Sequence, residues 1–328
     1  MAVTTRLGKK EVTELYQKPL LDLVFQAAEV HRLNHDPRLV QCSTLLSIKT
    51  GACSEDCGYC SQSAHHSTDL EPESLMSVEA VVTAAQKAKR DGADRFCMGA
   101  AWKSPRGGRG FEDVLQMVRE VRKLGLETCA TLGMLTPSQA RALKEAGLDF
   151  YNHNLDTSPR YYDNVVSTHS YEDRLNTLSL VREAGMKVCC GGILGLGESE
   201  QDRVDLLLQL ANQEQPPESV PINALVPVAG TPLEDMDTLP WDQMVRAVAV
   251  ARILMPAAQI RLSAGRSKLS EEAQSMCFLA GANSIFLGDQ LLTTPNQSQL
   301  SDAALFQKLG LNAIADASQG QLASQLTV

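Results

Sequence analysis

Short β-branched or aromatic runs alternate with amphipathic helical patterns along most of this chain, and that alternation limits the fold more than any other feature. The strand-like runs are STLLSIK (43–49), DRFCMGA (94–100), LETCATLG (126–133), DFYNHNLD (149–156), KVCCGGIL (187–194), VPINALV (220–226), QIRLSAG (259–265) and NSIFLG (283–288). Between and after them, helical periodicity covers 78–92, 114–125, 136–147, 171–185, 241–255, 270–281 and 304–310. Thr136 with Pro137 behind it reads as a helix start, and Ser199 with Asp202 three residues on as a capping box. Eight strand–helix units over about 270 residues predict an α/β chain of the (β/α)8 TIM-barrel type; an open doubly wound sheet has fewer units. A helical stretch over about 11–34, broken near Pro19, precedes the barrel. The expected division is an N-terminal helical extension (1–38), a barrel (39–315) and a Gln/Ser/Ala-rich tail (316–328) that should fray. QEQPPES (213–219) reads as a turn, not a linker.

The 328 residues carry a formal charge of −9, which disfavours nucleic acid as a partner. No run of eighteen apolar residues is present, so no membrane span is expected, and MAVTTRLGKKEV lacks the apolar core of a secretory signal. Nine cysteines, an odd number scattered over a long chain, argue against a disulfide framework and for the reducing cytoplasm. RGGRG (106–110) is a single copy between strand and helix and reads as a glycine-hinged loop.

Cys53, Cys57 and Cys60 fall within CSEDCGYC, spaced C-x3-C-x2-C. A structural zinc site wants four ligands, and a ferredoxin supplies a fourth cysteine nearby. The loop follows the first strand directly, so it belongs at the C-terminal face of the barrel, where active sites of this fold lie. Three thiolates can hold three irons of a 4Fe–4S cube and leave the fourth iron open to chelate an amine and a carboxylate. Zinc completed by His65 or His66 is the bland alternative. The motif, with aromatic Tyr59 before its last cysteine, resembles that of the radical S-adenosylmethionine enzymes.

Of the other cysteines, Cys42, Cys277 and one of the Cys189/Cys190 pair fit a small buried hydrophobe. Alternation separates the rest. Arg261 and Ser263 share one face of QIRLSAG, and Asn152, Asn154 and Asp156 share one face of DFYNHNLD. A polar face inside a covered barrel must line a cavity. Strand cysteines and a strand arginine converging there suggest a second metal site.

CSEDCGYCSQS, DRFCMGAAW, YNHNLDTSP, KVCCGGILGLGE, PPESVPIN, RLSAGR and FLAGANSIFLG together resemble the biotin synthase family, over about residues 10 to 310. The resemblance implies radical-mediated sulfur insertion into dethiobiotin to give biotin, with S-adenosylmethionine, a 4Fe–4S cluster on Cys53, Cys57 and Cys60, and a 2Fe–2S cluster on Cys97, Cys129, Cys189 and Arg261. Arginine as an iron ligand follows from the resemblance alone. So do the finer roles: Asn154 and Asp156 at the cofactor ribose, with Asn154 also at dethiobiotin; Arg174 at the methionine carboxylate; Gly99 and Ala100 near the amine; Tyr59 and Ile193 at the adenine; Asn223 at the ureido ring; Thr293 and Thr294 at the far end of the substrate. It also implies a homodimer and a small flavoprotein electron donor.

Each has a plain structural counterpart: Asn152 and Asn154 as strand-end turn residues, Arg174 as an exposed helix charge. Cys190 alternates away from Cys189 towards the helices. His153 alternates off the polar face and is expected to be structural, and His31, His35 and His169 to be surface or helix-packing residues. GGILGLGES does not match a dinucleotide fingerprint, and its glycines are expected to let a cofactor approach. Other radical S-adenosylmethionine barrels, such as hydrogenase-maturation or methylornithine-synthase types, share the first motif. A non-catalytic iron–sulfur protein would share it too, but would need no polar cavity.

Overall fold

The computed structural model describes residues 6–315; the tail expected to fray and the first five residues lie outside that range. In chain order the elements are α1 (Lys9–Tyr16), α2 (Leu20–Asn34), β1 (Leu39–Lys49), α3 (Val78–Arg90), β2 (Arg95–Ala100), α4 (Arg109–Lys123), β3 (Glu127–Thr131), α5 (Pro137–Ala146), β4 (Phe150–Asn152), α6 (Tyr171–Glu183), β5 (Lys187–Cys189), β6 (Gly192–Leu194), α7 (Glu200–Ala211), β7 (Ser219–Ala224), α8 (Trp241–Leu254), β8 (Gln259–Leu262), α9 (Glu271–Leu279), β9 (Ser284–Leu287), β10 (Gln290–Leu291), β11 (Thr294–Pro295), α10 (Gln299–Leu309) and β12 (Asn312–Ala313). Strands β1 to β5 pair in order and in parallel, β5 pairs with β7, and β7, β8 and β9 follow. β9 returns to β1 through Gln41–Ser284 to Thr44–Leu287, which closes the barrel.

The expected alternation of eight staves holds, with two departures: DFYNHNLD is a strand only over Phe150–Asn152, so Asn154 and Asp156 lie in the connection beyond it, and the fifth stave is broken. KVCCGGIL is not one strand but two, β5 and β6, interrupted at Cys190–Gly191. A Cβ on Gly191 would lie 1.9 Å from the Pro221 carbonyl oxygen, and one on Gly192 would lie 2.3 Å from Leu206 and 2.8 Å from the Asp156 carbonyl oxygen. The room these glycines leave is taken by neighbouring protein, not by a ligand as their richness suggests. Helix starts follow the expected chemistry: the Thr136 and Ser199 side chains each accept the amide three residues on, in full capping boxes. α4 begins at Arg109, inside the stretch that reads as a loop, with Gly108 at φ +92° ahead of it.

Three apolar regions result; one gathers Cys57, Tyr162, Val165 and Leu225 beside the cysteine loop, and the other two differ in size and place. The larger fills the layer between barrel and helices and includes Cys42, Cys190 and Cys277, all nearly inaccessible, as expected of small hydrophobes. The smaller lies inside the barrel and is built from Cys97, Cys129, Cys189, Phe150, Phe286 and Leu291.

Arg252 of α8, at the N-terminal end of the barrel, is fully buried. Its guanidinium donates to the carbonyls of Gly281, Pro256 and Ala258 and to Asn283 Oδ1, and contacts His35 Nε2 at 2.9 Å. Burial holds its pKa down at about 10. His31, one turn before His35, is buried with Nε2 unpaired; burial and then the Arg252 charge lower its pKa to about 3. The folded state thus excludes a proton that the unfolded chain takes up near pH 6.5. Stability from His31 is complete above that pH and is lost as pH falls towards 3. Between pH 7.5 and pH 5 this residue alone should cost about 2 kcal/mol. Urea unfolding of the protein and of His31→Leu at both pH values checks this: the variant should lose that share of the pH slope.

Candidate active site

β1 ends at Lys49, and the chain turns sharply over its end, with Gly51 and Ala52 both at positive φ (+68° and +50°). The cysteine loop that follows is closed on itself: the Cys53 amide donates to the Gln62 carbonyl (2.9 Å) and the Ala64 amide to the Cys53 carbonyl (2.7 Å). A second segment, 165–169, clamps it. The Gly58 amide donates to the Val165 carbonyl (2.8 Å), and the Asp56 carboxylate accepts the amides of Ser167 (3.0 Å) and Thr168 (3.2 Å). Burial opposes ionisation of Asp56, yet these bonds hold its carboxyl well below the usual range. Burial pushes the thiols of Cys53, Cys57 and Cys60 up, Cys60 to about 11. Metal binding would therefore release their protons. His65 and His66, the zinc alternatives, place Nε2 on the carbonyls of Ser54 (3.2 Å) and Cys57 (3.0 Å).

A buried polar chain runs from this loop across the mouth. Glu55 Oε2 meets His169 Nδ1 at 2.7 Å, and His169 Nε2 meets the Tyr162 hydroxyl at 2.8 Å. That hydroxyl accepts Arg174 Nε (2.5 Å). Arg174 Nη1 donates to the Asn154 carbonyl (2.6 Å), and Nη2 pairs with Asp156 Oδ2 (2.7 Å), which also accepts the Tyr59 hydroxyl (2.8 Å). His169 is thus no surface residue: it couples the cysteine loop to α6. The sequence hides this because Glu55 and His169 are 114 residues apart. Arg174 is buried, not exposed, and three of its five N–H groups are occupied, leaving two to give.

Deeper in the barrel, register places Cys97 beside Cys129, and Asn152 beside Cys189. Cys129 lies between the other two and shares hydrogen bonds with both. Those bonds, aided by Arg261 and Arg95, lower the Cys97 and Cys189 thiols, and raise that of Cys129. Asn152 Nδ2 donates to Cys189 Sγ at 3.3 Å. Arg261 is fully buried, with Nε on Ser284 Oγ (2.9 Å) and Nη2 on Ser43 Oγ (3.0 Å) and Gln41 Oε1 (3.2 Å). All three partners are neutral, an unusual state for a buried guanidinium. None of the nine cysteines forms a disulfide. Among the described residues no three Cys, His, Asp or Glu groups converge on one metal ion; the three sulfurs form a row, which suits a polynuclear centre better than a single ion.

Between these levels lies a cavity of about 350 Å³. Every site residue expected from the sequence lines it: Cys53, Cys57, Tyr59 and Cys60; Cys97, Gly99 and Ala100; Cys129; Asn154, Asp156 and Arg174; Cys189 and Ile193; Asn223; Arg261; Thr293 and Thr294. His153 lines it as well, buried with Nε2 unpaired. The Asn223 amide is oriented from both ends, donating to the Gly192 carbonyl (2.9 Å) and accepting the Ala264 amide (3.1 Å), so one donor and one lone pair remain. Over the opening lies the β10–β11 hairpin, whose Thr293 hydroxyl meets Ser61 Oγ at 2.8 Å, one residue past Cys60. In the sequence only resemblance points to these threonines, because two-residue strands carry no periodicity.

A closed parallel barrel with a three-cysteine loop after its first strand is the architecture of a radical S-adenosylmethionine enzyme, and residues 47–210 match the Radical SAM superfamily. Residues 221–312 match the Biotin and Thiamin Synthesis associated domain. The chain is 60% identical over 302 residues to biotin synthase of Vibrio cholerae, covering 92% of this chain and 86% of that one. It is 60% identical over 312 residues to the Escherichia coli enzyme (95% and 90%), and 57% identical over 305 residues to that of Legionella pneumophila (93% and 96%). The chain belongs to the biotin synthase family. Among solved structures, methylornithine synthase shares the fold at TM-score 0.79 with 18% identity, over 97% of both chains. The hydrogenase maturase HydG of Carboxydothermus hydrogenoformans does so at 0.79 with 17% identity, over 94% of this chain and 76% of that one. Membership makes this an enzyme and implies iron–sulfur clusters and S-adenosylmethionine. No helix among the described residues is long and apolar enough to cross a membrane.

Proposed function

We propose that the enzyme converts dethiobiotin to biotin, with a 4Fe–4S cluster on Cys53, Cys57 and Cys60 and a 2Fe–2S cluster on Cys97, Cys129, Cys189 and Arg261. The observation that carries this reading is the pair of three-thiol sets at two depths of one cavity. Both sets fit the groups: the thiols are unbridged, and the deeper set has two guanidiniums beside it to balance anionic charge. When bound, the clusters and S-adenosylmethionine supply the electron, the 5′-deoxyadenosyl radical and the sulfur.

The protein's share is binding, orientation and exclusion of water. Cys53, Cys57 and Cys60 would hold three irons of the cluster and leave the fourth iron open to the amine and carboxylate of S-adenosylmethionine, with the Gly99 and Ala100 backbone beside the amine. The two unspent N–H groups of Arg174 suit the carboxylate. Tyr59 and Ile193 pack in one apolar cluster and suit the adenine. Asp156 and Asn154 suit the ribose, Asn154 and the remaining valences of Asn223 the ureido ring, and Thr293 and Thr294 the far end of dethiobiotin. The described part of the N-terminal extension 1–38 packs outside the barrel and contributes no residue to the cavity. A homodimer, a small flavoprotein donor and the reducing cytoplasm complete the reading; they rest on the family resemblance and on nine unbridged cysteines.

Iron and acid-labile sulfide per chain, with the visible spectrum, should be measured on anaerobically reconstituted protein and on Cys97→Ser. Two cluster types, with only the 2Fe–2S signal lost in the variant, are expected. One cluster type in both proteins would remove sulfur insertion and leave an unspecified radical enzyme.

A further inference from the structure

Beneath the Cys97–Cys129–Cys189 row, strand alternation creates a second interior layer. Arg95 lies two residues before Cys97, Glu127 two before Cys129, and Gln41 two before Ser43. These side chains are joined. Arg95 Nε and Nη2 both donate to Glu127 Oε2 (3.1 and 3.0 Å), and the same oxygen accepts Gln41 Nε2 (3.1 Å). Gln41 Oε1 accepts Arg261 Nη2 (3.2 Å). One hydrogen-bond chain therefore links the two guanidiniums under the sulfurs. Arg95 is 1% exposed, and its guanidinium carbon lies 3.5 Å from the centroid of the Phe150 ring, itself part of the cysteine cluster. Its Nη1 is buried and has no hydrogen-bond partner. A buried arginine with one edge paired and the other idle is costly unless something meets the idle edge.

We infer that Arg95 is a positioning residue for the deeper iron–sulfur site: its Nη1 donates to a sulfur of the loaded site, and its charge raises the reduction potential there. This rests on the proposed function. Three thiolates on a 2Fe–2S core that carries two positive charges leave a net negative charge that deepens on one-electron reduction. A cation fixed in a dry barrel favours the reduced form. Glu127, 38% exposed, offsets part of that charge from the outer side.

The test is the midpoint potential of the 2Fe–2S centre, by anaerobic dye titration, in reconstituted wild type, Arg95→Met, Arg95→Lys and Glu127→Gln. Arg95→Met should lower the reduction equilibrium at least about tenfold, or about 59 mV for one electron. Arg95→Lys should recover most of the loss, because it restores charge. Glu127→Gln should shift the potential the opposite way, upwards, and it remains decisive if Arg95→Met fails to fold or to load. An unchanged potential in a loaded Arg95→Met, or a fall or no change in Glu127→Gln, overturns the inference. A merely structural Arg95 would move thermal stability and leave the potential in place. Absence of any 2Fe–2S centre from the wild type would instead overturn the proposed function.

Discussion

Asp156→Ala should lower the free energy of unfolding by about 3–5 kcal/mol, because it strips the only carboxylate from a guanidinium that is 8% exposed. Asp156 is 1% exposed and meets Arg174 at 2.7 Å, among side chains that offer Arg174 a hydroxyl and a carbonyl but no second charge. The backbone adds to the loss. Asp156 sits at φ +63°, where Asp and Asn are tolerated and alanine costs about 1 kcal/mol more. Asp156→Asn keeps the turn and an acceptor for Tyr59 while removing the charge, so it should fall between wild type and alanine. Urea unfolding of the three proteins checks the order. An alanine variant within about 1 kcal/mol of wild type would show that water entering the cavity solvates Arg174.

Cys57→Ala should reduce 5′-deoxyadenosine formation from S-adenosylmethionine to background, whereas Cys277→Ala and Cys190→Ala should leave it near wild type. All three residues are buried, so burial alone does not separate them. Surroundings do. Cys57 packs in the loop cluster with Tyr59 and Cys60 and borders the cavity. Cys190 and Cys277 face the layer between barrel and helices, where truncation removes one small apolar group at a cost of about 1 kcal/mol. Product by chromatography, with iron per chain on the same samples, gives the answer. Retained product in Cys57→Ala would take the first cluster away from this loop.

Much of the fold and of the site is legible in the sequence, for a physical reason. Period-two and period-3.6 patterns are local, so eight staves and their helices can be read from neighbours along the chain, and alternation sorts Cys189 from Cys190 correctly. Contacts between distant segments cannot be read that way. The break in KVCCGGIL exists because the Pro221 carbonyl crowds Gly191, and no property of 187–194 reports that. His169 reads as a surface or helix-packing residue because its carboxylate partner, Glu55, comes from a loop 114 residues away. Arg95 draws no notice in the sequence, because an arginine opening a strand is ordinary until its layer in the barrel is known. Arg261 does stand out as a buried cation needing a partner, but only resemblance gives it a role.

The two ends of the barrel also differ in how they can open. Arg252 ties the end of α8, the start of β8, the α9–β9 turn and His35 into one knot of hydrogen bonds. None of these segments can loosen without stranding a buried guanidinium. Their amides should exchange with deuterium together, and only as fast as the whole barrel unfolds. The β10–β11 hairpin is two residue pairs long and meets the cysteine loop through one hydroxyl pair, so its amides should exchange by small local openings. Substrate and product should therefore pass at the hairpin end, while the Arg252 end stays closed until the barrel itself unfolds.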